Sequence, residues 1–211
     1  NSEYVCFQHI GIKRDTGNCP FFIEQSNNIS ISNCVLSGNN SVKIESGSEH
    51  IVISNNYFEE NYSDLICIEG GIGEMIQHIE IHNNVLPGSS GKSIELSYVN
   101  NVEISNNHIN NFAQAIDIEH SNNVLIEYNT IENGYGFGLE ISSNFPQTNM
   151  FIVGNKITGV SNADGIRILG ENVQVVNNFI QTEGIADKSG IFISDNSDNC
   201  KLYYNSINVI S

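Results

Sequence analysis

Val102-Glu103-Ile104-Ser105-Asn106-Asn107-His108-Ile109 carries the signal that decides the fold. Two apolar residues flank a polar one, an Asn-Asn turn follows, and a third apolar residue stands two places after the second asparagine. Separation by a single residue is the period of a strand, whose side chains alternate between faces, and not of a helix. The same figure recurs along the chain. Ile29 and Ile31 lead to Cys34, Ile51 and Ile53 to Asn56, Ile79 and Ile81 to Asn84, Val124 and Ile126 to Asn129, Met150 and Ile152 to Asn155, Val173 and Val175 to Asn178, and Cys200 and Leu202 to Asn205. Successive copies lie 22 to 28 residues apart, the spacing at which one supersecondary unit stacks on the next to build a solenoid.

A second apolar pair precedes each figure after the first: Val42 and Ile44, Ile66 and Ile68, Ile94 and Leu96, Ile116 and Ile118, Leu139 and Ile141, Ile166 and Ile168, Ile191 and Ile193. A third inward column runs Leu36, Phe58, Leu86, Ile109, Ile131, Ile157, Ile180, Ile207. Three short strands per coil close a triangular prism. The pattern therefore predicts an all-β chain, a single-stranded parallel β-helix of about eight coils over residues 21–211. Residues 1–20, with Cys6, Cys19 and Pro20, fit the repeat poorly and are expected to form an irregular first coil or an N-terminal cap. Open β-helix ends expose strand edges and core, so neighbouring domains or subunits are expected to cover them.

Two polar columns set the register independently. Asn28, His50, His78, Asn101, Asn123, Asn149, Asn172 and Asn199 precede the central strands, and the turn position after those strands is asparagine everywhere except Cys34. Asparagine tolerates left-handed backbone, and its amide both donates and accepts, so stacked copies satisfy one another. Left-handed turn residues in both columns and an amide ladder from Asn56 to Asn205 are the expectation.

With these motifs, and with Ala115-Ile116-Asp117-Ile118-Glu119, the chain resembles the right-handed parallel β-helix family, the pectate-lyase-like superfamily, over roughly residues 21–211. That resemblance implies a right-handed coil and a protein that is secreted, periplasmic or on the cell surface. It also implies dealings with polysaccharide, as lyase, uronan epimerase, glycosidase or tailspike, with active sites along the first parallel sheet.

Composition agrees. Twenty-four acidic residues against eight basic ones leave a net charge of −16, which repels a phosphate backbone or an anionic bilayer and argues against nucleic-acid partners. No apolar run approaches the length of a membrane span, so no membrane insertion is expected. Five cysteines are an odd number, so at least one thiol lacks an intrachain partner; a Cys6–Cys19 bridge is one option.

Chemistry must come from the outward columns of the first sheet. These read Lys43, Cys67, Glu95, Asp117, Glu140, Arg167, Phe192 and, two residues on, Glu45, Glu69, Ser97, Glu119, Ser142, Leu169, Ser194. Coils stack about 4.8 Å apart, so Glu95, Asp117 and Glu140 are expected to form an unneutralised acidic stripe flanked by Glu69 and Glu119, with Arg167 above it. Hard oxygen ligands at that spacing suit Ca²⁺, which would let an acidic protein approach an acidic sugar. In the lyase or epimerase reading Glu95, Asp117 and Glu140 hold Ca²⁺ or substrate, Arg167 takes the proton or neutralises the substrate carboxylate, and His120 is a second proton-transfer candidate. Glu69, Glu95, Glu119, Tyr135 and Phe137 are the substrate-binding candidates, the aromatics by stacking on sugar rings, as Phe145 could. In a glycosidase the same carboxylates would be acid and base, vertical neighbours lying near the separation of retaining enzymes and carboxylates two coils apart near that of inverting ones. In a non-catalytic module, an adhesin or tailspike stem, the outward face is simply solvated. The stretch Asn162-Ala163-Asp164-Gly165 is similar to a polygalacturonase motif, but the paired aspartates expected on the following coil are absent, which makes Asp164 a turn residue.

Overall fold

The computed structural model describes residues 4–13, 19–143, 149–183 and 188–210. Phe145 lies outside them. Among the described residues there are three parallel sheets of eight, nine and nine strands and no helix. The first sheet contains Phe21–Ile23, Val42–Glu45, Ile66–Glu69, Ser89–Ser97, Phe112–Glu119, Leu139–Ser142, Ile166–Leu169 and Ile191–Ile193. The second holds the apolar pairs before each Asn turn, and the third holds the short strands after it. Each strand pairs with its counterpart one coil on, in the register read from the sequence, for instance Ile94↔Ile116↔Leu139↔Ile166. Eight coils therefore stack as expected.

The alternation of apolar and polar residues places the core. Ile66, Ile94, Ile116, Leu139 and Ile166 of the first sheet are fully buried, as are Ile53, Ile81, Ile104 and Ile126 of the second and Phe58, Leu86, Ile109 and Ile131 of the third. Each such side chain contributes about 1.5–3 kcal/mol by leaving water. At the last coil the inward Leu202 and Ile207 remain 40% and 48% exposed, because nothing stacks above them among the described residues. Within the first twenty residues, Val5–Gln8 and Gly11–Lys13 pair in parallel with Asn27–Ser32 and Val35–Ser37, while 14–18 lie outside the described residues. No disulfide joins Cys6 and Cys19, so the optional bridge is not formed.

The amide ladder is present. From Asn56 to Asn178 each Nδ2 donates to the Oδ1 of the next coil's asparagine at 3.0 Å, through Asn84, Asn107, Asn129 and Asn155 to Asn205. Each backbone N–H in the column donates to the same oxygen. One expectation needs correction. The column Asn28 to Asn199 is left-handed throughout, but in the ladder turns the left-handed residue is the one before the ladder asparagine: Asn33, Asn55, Asn83, Asn106, Tyr128, Gly154, Asn177 and Tyr204, with φ from 51° to 64°. A single left-handed residue turns the chain, and the next side chain is thereby aimed into the corner, where only a group that both donates and accepts is satisfied.

Cys34 ends the ladder. Its N–H donates to Asn56 Oδ1 at 2.9 Å, and its thiol lies 3.2 Å from Ser32 O and 3.7 Å from Phe7 O, the carbonyls that an amide here would take. Cys34→Asn should add one rung and stabilise the protein by about 1 kcal/mol, read as a higher urea midpoint. An unchanged or lower midpoint would mean that the first rung contributes nothing.

Candidate functional site

The first sheet brings the outward residues into one vertical column: Lys43↔Cys67↔Glu95↔Asp117↔Glu140↔Arg167↔Phe192. The stripe exists, but it is not unneutralised. A further column, two residues before the first inward position, reads Asp64, Lys92, Gln114, Phe137, Asp164 and supplies the partners. Lys92 Nζ lies 2.5 Å from Glu95 Oε1, 2.5 Å from Asp117 Oδ2 and 4.0 Å from Glu119 Oε1. A register shift between Ser89 and Lys92 accompanies this placement. Burial alone would pull the Lys92 ammonium down, but hydrogen bonds to Asp117 and Glu95 outweigh it and keep the group charged.

Asp117 is the unusual member. It is only 3% exposed although its side chain points out of the coil. Oδ2 accepts from Lys92, whereas the buried Oδ1 has no hydrogen-bond partner among the described residues. Burial pushes its carboxyl up to about 6; Lys92 opposes the shift, and the charges of Glu119 and Glu140 add to it. Glu140, on the adjacent coil, accepts from Gln114 Nε2 at 2.9 Å and lies 3.6 Å from Arg167 Nη1. The Arg167 guanidinium sits over the rings of Phe137 at 4.8 Å and Phe192 at 5.7 Å, a cation–π arrangement that fixes it beside the carboxylate.

The remaining candidates divide. Glu69 lies with Lys43, at 3.3 Å, below the stripe. Glu119 lies at the limit of an ion pair with Lys92. Phe137 belongs to the stripe as the arginine's platform and is partly buried against the core, so it is not an open stacking surface. Tyr135 lines a cleft of about 330 Å³ at the corner between the third and first sheets. His120 stands in the turn after the strand, its ring packed on Tyr98 at 4.9 Å and its Nδ1 3.5 Å from Ser143 Oγ. Asp164 is a turn residue that accepts the Ser189 N–H at 2.8 Å, as Asp64 accepts the Lys92 N–H at 2.6 Å.

Sequence reasoning missed Lys92 and Gln114, and it placed Cys67 in the outward column without anticipating its burial. Cys67 is buried, its Sγ 3.5 Å from Glu95 Oε2, and burial pushes its thiol up, which leaves it protonated and inert. For Lys92 and Gln114 a signal was available: position two before each inward pair is polar or aromatic on every one of these coils.

No curated protein sequence matches the chain. Several solved structures share its fold. The surface protein and adhesin PfbA of Streptococcus pneumoniae superposes with a TM-score of 0.57 at 13% identity, over 98% of this chain and 67% of that one. An exopolygalacturonase of Thermotoga maritima gives 0.60 at 15% identity, over 87% of this chain and 53% of that one. The chain thus spans about half of the enzyme's length, and at these identities the likeness is one of fold. The family described as right handed beta helix region matches residues 11–150. That match covers well over half of the 211 residues: the chain belongs to the right-handed β-helix family.

Proposed function

We propose that this β-helix handles polysaccharide outside the cytoplasm and cleaves glycosidic bonds on its first sheet, with Asp117 as proton donor and Glu140 as nucleophile. The observation that carries the reading is Asp117: buried, with one oxygen unbonded and a carboxyl near pKa 6, it holds a proton where an ordinary aspartate has lost it. Asp117–OH gives its proton to the glycosidic oxygen as the C1–O bond breaks, and Glu140 attacks C1 to form a glycosyl ester. Water then opens the ester and returns a proton to Asp117. Adjacent coils are about 4.8 Å apart, close to the roughly 5–5.5 Å between carboxyls of retaining enzymes. Lys92, a quarter exposed on a flexible stem, is the side chain that moves to admit substrate.

Lyase or epimerase chemistry has less support, because a base is needed and the neighbouring Lys92 is held in its charged form by Asp117 and Glu95, while Arg167 is paired with Glu140. Glu95, Asp117 and Glu140 do not fit Ca²⁺ as they stand: Lys92 lies between the first two and Arg167 beside the third. The near-complete burial of Asp117 favours a second reading, a non-catalytic module of a surface protein. Reducing-end release from a panel of neutral and acidic polysaccharides separates the two. Hydrolysis that drops about 10²- to 10⁴-fold in both Asp117→Asn and Glu140→Gln, and declines above pH 6 as Asp117 ionises, supports the enzyme. No product from any substrate leaves the module.

A further inference from the structure

We infer that the cleft flanked by Tyr62 and Tyr135 is a binding site for an uncharged glycan. The inference takes its ligand class from the proposed function but not the chemistry of the stripe. The cleft, about 330 Å³, is walled by the entries to four successive first-sheet strands, with Tyr62, Asn111 and Tyr135 from the connecting loops and Ser90 from the start of the strand Ser89–Ser97. Tyr62 and Tyr135 are therefore three coil rises apart, roughly 14 Å along the axis, which leaves room for more than one sugar ring beside the stripe.

Both rings are exposed, 83% for Tyr62 and 54% for Tyr135, yet each stands on fixed backbone. Tyr135 lies between two glycines for which no other residue can substitute: a Cβ at Gly134 would fall 2.0 Å from the Phe112 ring, and one at Gly136 would fall 1.7 Å from Ala113 O. Its N–H donates to Phe112 O at 3.1 Å. On the other side, Asn61 Nδ2 donates to Gly38 O at 2.7 Å, and Asn61 Oδ1 accepts the Ser63 N–H at 2.7 Å. Rigid, solvent-facing aromatic rings lose little entropy when an apolar face stacks on them. The apolar face of a pyranose ring is such a ligand. In the same lining, Glu60, Ser90 and Asn111 offer carboxylate, hydroxyl and amide groups to sugar hydroxyls. No lysine or arginine is among the lining residues, and Glu60 is acidic, so a uronate would meet only like charge. Neutral sugars are selected.

Calorimetric titration of the Asp117→Asn protein tests this without interference from turnover. The probes are hexasaccharides of glucose, xylose or mannose, with a hexauronide as the charged comparison. A neutral hexasaccharide should bind more tightly than the hexauronide. Tyr62→Ala and Tyr135→Ala should each weaken that binding about tenfold, Tyr62→Phe and Tyr135→Phe should preserve it, and Glu60→Gln should narrow the gap to the hexauronide. No neutral probe binding, or binding indifferent to both alanine substitutions, overturns the inference. Hydrolysis absent from the unsubstituted protein while the tyrosine effects persist would sink the catalytic reading alone.

Discussion

Lys92→Met is expected to destabilise the protein by about 2–3 kcal/mol at pH 8 and by much less at pH 5. Removing one partner of a buried ion pair leaves the other charge uncompensated, at about 3–5 kcal/mol for a fully buried pair. The lower figure applies here because Lys92 is a quarter exposed while Asp117 is not. The pH dependence follows from Asp117. A carboxyl raised to about 6 in the folded protein binds its proton more tightly than in the unfolded chain, where the ordinary value is 3.8. Its contribution to stability is therefore fully present below the unfolded value and is lost as pH rises through about 6, a swing of roughly 3 kcal/mol. Losing Lys92 raises the carboxyl further and widens the pH window of that loss. Urea titrations at pH 5, 6, 7 and 8 read this directly, and adding Asp117→Asn to Lys92→Met should restore most of the lost stability. A Lys92→Met deficit that stays flat with pH, or that Asp117→Asn does not relieve, would show that Lys92 acts by packing and not by charge.

Asn129→Leu is expected to cost at least about 3 kcal/mol. Its Oδ1 accepts from both Asn107 N and Asn107 Nδ2, and its Nδ2 donates to Ile104 O, Glu127 O and Asn155 Oδ1. Leucine cuts all of these in a corner where the asparagine is 1% exposed. Each buried group left unpaired costs about 1–3 kcal/mol, and more than one is left here. Asn56→Leu, at the end of the ladder, should cost less, because only Cys34 N loses its acceptor on that side. A thermal melt of Asn129→Leu that overlays the parent would refute the ladder as a source of stability.

Most of the fold was legible in the sequence because strand alternation and the asparagine columns are local signals repeated at every coil. A repeated local signal constrains register, and register in a β-helix is nearly the whole architecture. Ile94, Ile116, Leu139 and Ile166 could be placed above one another from spacing alone, as could Glu95, Asp117, Glu140 and Arg167. What the sequence determined was thus which backbone positions share a column and which side of the wall each side chain leaves from. It did not determine where an outward side chain goes after leaving the wall. Lys92 starts two residues before the inward pair, in a column that is polar or aromatic but mixed in residue type, and its long stem carries the ammonium onto Glu95 and Asp117. That reach reverses the electrostatics of the stripe: an outward aspartate becomes a buried one with an orphaned oxygen, and an array of repelling carboxylates becomes a set of ion pairs. The same holds for Arg167, whose position was clear but whose seat between Phe137 and Phe192 was not. Backbone periodicity is written residue by residue, whereas the charge state of Asp117 depends on which flexible side chains from neighbouring coils converge on it, and only the stacked structure decides that.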